Sequence, residues 1–311
     1  IMIGPGSAGD LSLEEFSSRI STEGLGFAIG PFRAHIRATI SSLNEPLHLL
    51  YADFPLVDPE QVFTLHAQVV PVRAFPWLKR SRVRFIVDGF APHEDLPIGQ
   101  ALPVLEWGIN LVIAMRSHNF LMLHAAVVEK NGHAIVLPGT PGSGKSTLCA
   151  ALVHSGWRLL SDEFGLVPHG TSDFVPVPRP MALKNEAIEV FRSFAPNAVL
   201  GPQIPETRKG TVAHVRPPAD SVRRQAKLAP ARWLVFPRWQ AGAELEPTQL
   251  SKSHSLMALA SNAFNYDLLG EQGFRTAREI VNACDALSLV YSDLGEAITL
   301  LDELVERDAS D

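Results

Sequence analysis

Gly139-Thr140-Pro141-Gly142-Ser143-Gly144-Lys145-Ser146-Thr147 follows the apolar run Ala134-Ile135-Val136-Leu137 and precedes Leu148, Ala151 and Leu152 at helical spacing. Strand, glycine-rich turn and helix in that order form a complete phosphate-binding loop. The glycines allow the backbone to curl until successive N–H groups face an anion, and the helix beginning near Gly144 adds its positive dipole end. Lys145 brings a full charge to the outer phosphates of a nucleotide, and the Ser146 hydroxyl can ligate Mg²⁺. A nucleotide site over Gly139 to Thr147 is the first expectation.

Upstream of the loop, Leu121 to Val128 and His133 to Leu137 flank Asn131-Gly132, a strong two-residue hairpin signal. If Lys130 faces His133, counting back places His124 across from Gly139, so the register predicts a histidine beside the loop's first glycine. Without the hairpin, His124 reads as a core residue. Downstream, Gly156 stops the loop helix and Trp157 to Ser161 reads as the next strand, ending in Asp162-Glu163. That pair comes only seventeen residues after Lys145. An acidic residue at the tip of a neighbouring strand is where nucleotide kinases and hydrolases hold the metal or orient the nucleophile.

The 311 residues carry 46% apolar side chains and a formal net charge of −6. A chain of this length predicts two lobes, or one large α/β core with an added layer. The negative balance argues against nucleic acid as a partner, because phosphate contacts demand a basic surface. Two cysteines, Cys149 and Cys284, are too few for a disulfide framework or a metal cluster. No run of 18 apolar residues occurs, and Ile1 to Gly6 lacks a basic segment followed by an apolar one. These features predict a soluble, cytoplasmic protein with no membrane partner.

From about Phe27 to Pro97 short apolar runs punctuated by prolines predict a mostly antiparallel sheet, followed by a helix over about 98–117 that is apolar nearly all round. His35, His48, His66 and His93 share no metal-ligand spacing. After the acidic pair, 174–183 is extended and proline-interrupted, and Asn185 is placed to cap a helix over about 186–194. A long, basic loop over 201–210 has the character of a lid. Strands are expected over 211–216, 232–236 and 287–291. Residues 218–229 read as charged surface, 253–284 as helix broken near Gly270 and Gly273, and 295–306 as a last helix.

Over His124 to Glu163 the chain resembles the HPr kinase/phosphorylase family, and within it the HPr-kinase-related kinases. The shared features are the histidine fifteen residues before the loop, the hairpin into the loop, and the acidic strand end after the first helix. The family has two aspartates where this chain has Asp162-Glu163. Its phosphorylase signature is reduced here to Val215-Arg216-Pro217, so dephosphorylating activity is not expected. The resemblance implies an α/β P-loop kinase core of the HPr kinase / phosphoenolpyruvate carboxykinase type with a mixed sheet, placed over 119–311; the strand pattern read above adds an N-terminal, mainly antiparallel β layer with its buried helix over 1–118. It implies ATP on Gly139 to Thr147, Mg²⁺ on Ser146 and Asp162, and a base-like role for Glu163 with His124. Lys184 and Arg208 fall in segments that look like the family's active-site rim. The activity expected is transfer of the γ-phosphate to a hydroxyl, Ser or Thr first, of a peptide, a protein or a small molecule, with homo-oligomerisation left open. The alternative is a nucleotide-binding regulatory or assembly module with little turnover.

Overall fold

In the computed structural model, which describes residues 6–73 and 81–308, Asn131 and Gly132 adopt φ of +54° and +91°. Positive φ at both central residues is what a type I′ hairpin turn demands. The flanking strands pair from Lys130↔His133 back to Ala125↔Pro138, the register that the turn predicts. The opening stretch 1–5, read above for a targeting signal, lies outside the described residues.

In chain order the first elements are α1 (Leu13–Thr22), β1 (Leu25–Ile29), β2 (Phe32–Ala38), α2 (Asn44–Leu50), β3 (Leu56–Val57), β4 (Leu65–Arg73), β5 (Ser81–Val87), β6 (Leu96–Pro97) and α3 (Ala101–Arg116). Then come β7 (Phe120–Lys130), β8 (His133–Pro138), α4 (Lys145–His154), β9 (Arg158–Ser161), β10 (Phe164–Pro168), β11 (Asp173–Phe174), β12 (Met181–Lys184) and α5 (Glu186–Phe194). The remainder is β13 (Ile204–Thr207), β14 (Gly210–Val215), α6 (Ala219–Arg223), β15 (Ala229–Trp239), β16 (Glu246–Gln249), α7 (Lys252–Ser261), α8 (Tyr266–Leu269), α9 (Glu271–Ala283), β17 (Asp285–Tyr291) and α10 (Leu294–Asp308). One compact unit draws on Ile1–Arg116, Ala182–Ile188 and Ala198–Arg223, the other on Ser117–Met181, Glu189–Asn197 and Arg224–Asp311.

The first unit holds a six-stranded sheet in the order β3-β1-β2-β4-β5-β6, antiparallel except for the β2–β4 pair, and a small sheet β12-β14-β13. Helix α3 lies on β4 and β5. It passes close because Gly108 has no side chain: a Cβ there would stand 2.6 Å from the Phe85 ring. Together with the preceding turn, 98–116 is long and apolar enough to cross a membrane, yet most of it is buried within the protein. Its one buried acid, Glu106, accepts a 2.7 Å hydrogen bond from the Tyr51 hydroxyl. Three expectations need correction here. Helix α2 interrupts the region read as sheet, because Leu43, Leu47 and Leu50 fall on one buried face and Pro46 sits in the first turn, where proline is tolerated. Asn185 stands at the cap position of α5, its main-chain oxygen accepting from the Ile188 amide at 3.1 Å, but its φ is +52° and its side-chain oxygen accepts from the Thr211 amide at 3.0 Å. Residues 219–223, read as surface, form α6 with Ser221 and Val222 buried.

The second unit is built on a mixed sheet, β10-β7-β8-β15-β17-β16, with β9 also on β7 and β11 on β15. Strands β8, β15 and β17 are parallel to one another, while β7, β10 and β16 run antiparallel to their neighbours. Leu123, Ala125, Val127, Val136 and Leu234 pack against Ala277, Ile280 and Val281 of α9, and α4 and α10 pack with the sheet as well. Both alternations of β7 are therefore largely buried, and its sequence is apolar from Leu121 to Val128 save for His124. Gly273, read as a helix break, lies inside α9, where the absent Cβ would meet the Tyr266 carbonyl at 2.9 Å.

A buried ion pair ties β7 to β9. Glu129 accepts from Arg158 Nε at 2.5 Å, from Arg224 Nη2 at 3.1 Å and from the Gly132 amide at 2.6 Å. Burial pushes the Glu129 carboxyl up, but Arg158, the Gly132 amide and Arg224 outweigh it and hold the group below its ordinary value. A carboxyl lowered in the folded state stabilises above its unfolded pKa, and the contribution is lost as pH falls through the folded value. Glu129→Ala strands the Arg158 charge in the interior and is expected to cost about 3–5 kcal/mol at pH 7. Urea titrations should show the gap between wild type and variant narrowing below about pH 4. An unchanged midpoint at pH 7 would contradict the role assigned to the pair.

Candidate active site

The C-terminal ends of β8, β15 and β17 lie at one edge of the sheet, the place where parallel strands of an α/β sheet open a crevice. The glycine-rich loop leaves β8 at Pro138 and enters α4 at Lys145. The ends of the other two parallel strands grip it. The Trp239 amide donates to the Ser143 carbonyl at 2.9 Å, and the Tyr291 hydroxyl donates to the Gly144 carbonyl at 3.2 Å. In a trans peptide the N–H points opposite to the C=O. With the Ser143 and Gly144 oxygens drawn to the sheet, the amides of Gly144 and Lys145 are turned the other way. The Ser146 and Thr147 amides belong to the first helical turn, which has no intrahelical acceptors. Gly144 is required for this fit: its φ is +87°, and a Cβ would stand 2.6 Å from the Tyr291 hydroxyl and 2.8 Å from Trp239 Cβ. The Tyr291 phenol is buried, and burial pushes it well above its usual pKa, so it remains a donor.

Two further features leave the loop able to receive an anion. The Ser143 hydroxyl oxygen is buried and meets no hydrogen-bond partner among the described residues. Gly142, at φ +90°, has nothing within 4 Å of where a Cβ would be, so the loop's crest is open. Lys145 is only 6% exposed, on the first turn of α4. Thr140 accepts from the Ser143 amide at 3.2 Å, closing the turn around Pro141. No group of three or more His, Cys, Asp or Glu side chains that could hold a metal occurs among the described residues. Mg²⁺ held by one carboxylate, one hydroxyl and phosphate oxygens needs no such group.

Asp162 and Glu163 occupy a bend between β9 and β10, both of which pair with β7. Val127↔Ser161 and His124↔Phe164 are paired, so the acids lie opposite Ala125 and Ala126, level with Ala125↔Pro138 at the loop's root. The Ser161 hydroxyl accepts from the Phe164 amide at 3.1 Å and holds the bend. Asp162 is buried and Glu163 half-buried. The thiol of Cys149, one turn along α4, senses both sides of the site: burial pushes it well up, Asp162 pushes it further, and Lys145 opposes.

His124 stands next to Glu163, with Nε2 4.0 Å from Oε1. Beyond Pro138, where β8 leaves the sheet, residues 262–265 take over its side of β7. The His124 amide donates to the Asn262 carbonyl at 2.6 Å, the Phe264 amide to the Met122 carbonyl at 2.8 Å, and the Asn265 side chain bonds Met122 and Phe120. This anchored segment sets the Phe264 ring 5.3 Å from the His124 ring and 5.4 Å from Phe164. The second unit therefore brings together His124, Lys145, Ser146, Asp162 and Glu163. Lys184 and Arg208 belong to the first unit: Lys184 ends β12, and Arg208, in the β13–β14 turn, forms an exposed ion pair with Glu94.

Trp239, Tyr291 and Asn265 were not singled out in the sequence. Tyr291 ends a recognisable strand, but nothing local marks that strand as the loop's neighbour. The two asparagines of Asn262-Ala263-Phe264-Asn265, interrupting a helical pattern, are the signal that could have drawn attention to the strap.

The family model of the SynChlorMet cassette protein ScmC matches residues 101–184, a stretch that takes in His124, the loop and the acidic pair. No curated protein matches the chain. Among solved structures, the Hpr(Ser) kinase/phosphatase from Coxiella burnetii is similar at 13% identity and a TM-score of 0.26, over 60% of this chain and 95% of that one.

Proposed function

We propose that this chain is an ATP-dependent, Mg²⁺-assisted kinase with a P-loop core of the HPr kinase / phosphoenolpyruvate carboxykinase type, acting on a hydroxyl of a peptide, a protein or a small molecule. One observation carries the reading. Trp239 and Tyr291 hold the Ser143 and Gly144 carbonyls, which aims the loop amides outward above a helix start, with Lys145 on the first turn of that helix and the acidic pair level with the loop's root. Such an assembly suits phosphoryl transfer, in which positioning and charge neutralisation supply most of the rate.

MgATP, when bound, supplies the phosphoryl group and a divalent charge. The chain's own residues do the rest. The amides of the loop and the Lys145 ammonium cradle the phosphates. Ser146 and Asp162 provide the hard oxygen ligands that Mg²⁺ favours. Glu163, or His124 beside it, takes the proton from the attacking hydroxyl; the half-buried Glu163 can meet an acceptor arriving from solvent. Serine or threonine of a peptide is the first acceptor class to try.

The test is acceptor dependence. A kinase releases ADP in proportion to an added acceptor, which gains one phosphate per ADP. A regulatory nucleotide binder would show saturable MgATP binding and the same slow ADP release whatever is added, and that result would overturn the kinase reading.

A further inference from the structure

The phosphoryl chemistry leaves the Trp239 side chain without a task. Its main-chain N–H holds Ser143, and its Cβ stands against Gly144. Neither contact needs an indole. Yet at the end of β15, most of whose core-facing positions are buried, Trp239 is 48% exposed. It is also fixed: Nε1 donates to the Ser292 carbonyl at 3.1 Å, and the Gln240 amide donates to the Tyr291 carbonyl at 2.9 Å, closing the chain behind it. A large, flat, rigid, half-exposed aromatic beside a phosphate cradle is a stacking platform.

We infer that Trp239 is the wall against which the base of the bound nucleotide stacks. The inference rests on the nucleotide reading of the loop and adds how the base is held. Because the indole N–H is already given to Ser292, the ring offers a π-face and no hydrogen-bond donor. Stacking of that kind accepts every base. Trp239 therefore contributes affinity for nucleotides over bare polyphosphate and does not discriminate ATP from GTP.

Calorimetric titrations of MgATP, MgGTP and Mg-tripolyphosphate test this with wild type, Trp239→Ala and Trp239→Phe. Alanine keeps the Cβ against Gly144 and the amide to Ser143, so the loop is preserved. Wild type should bind MgATP more tightly than Mg-tripolyphosphate. Trp239→Ala should weaken MgATP and MgGTP alike, by about 5- to 150-fold, and leave tripolyphosphate unchanged. Trp239→Phe should recover part of the loss, since it restores an aromatic face without the bond to Ser292. Equal weakening of tripolyphosphate would make Trp239 a structural prop of the loop and overturn the inference, as would unchanged MgATP affinity in Trp239→Ala. If wild type binds tripolyphosphate but ATP no better, the platform fails while the phosphate cradle stands. If it binds neither, the nucleotide reading fails and takes the platform with it.

Discussion

Lys145→Ala is expected to lower phosphoryl transfer by about 10²- to 10³-fold and to weaken MgATP binding in parallel, with the fold intact. The side chain is buried on the first turn of α4 and supplies a full charge within the loop. The loop's shape does not depend on it, since the Ser143 and Gly144 carbonyls are held from the sheet by Trp239 and Tyr291. Calorimetry with MgATP and a melting curve check both halves. Coincident MgATP titration curves for wild type and variant would sink the assignment.

The acidic pair should split by function. Asp162 is buried, and Glu163 is half-buried beside His124. At the bend the two carboxylates differ in exposure, so the buried one can serve the metal while the half-buried one meets the acceptor. Asp162→Asn is expected to raise the Mg²⁺ concentration needed for half-maximal rate. Glu163→Gln should bind MgATP normally and transfer about 10²- to 10⁴-fold more slowly, with His124→Ala behaving in the same way to a smaller degree. Magnesium titrations of rate, alongside nucleotide binding, distinguish the two. If Asp162→Asn and Glu163→Gln behaved alike in both measurements, the division of labour would be wrong.

How much of this could be read from the chain itself varies with the range of the forces involved. The Asn131-Gly132 turn is local chemistry, and it carried the register of β7 and β8 down to Ala125↔Pro138. The short path from Lys145 to Asp162 led to β9 as the strand after the loop helix, and β9 is found on β7. Neither signal reveals that β15 and β17, about a hundred or more residues downstream, close on the loop from its other side. That contact rests on parallel pairing at long range, which leaves no local periodicity. Asn185 shows the opposite failure. Its residue type favours a helix cap, but the amide of Thr211 competes for the same oxygen and wins. Helix α2 was missed because seven residues with a proline in their first turn look like another break between strands.

Mass spectrometry of a cell extract incubated with the protein and ATP labelled with ¹⁸O in the γ-phosphate tests the central claim most directly. The account predicts a labelled phosphate on a hydroxyl of a peptide, protein or small molecule, formed with wild type and lost with Lys145→Ala. Binding of MgATP by the wild-type protein with no labelled product in any extract fraction, or label appearing equally with Lys145→Ala, would contradict it.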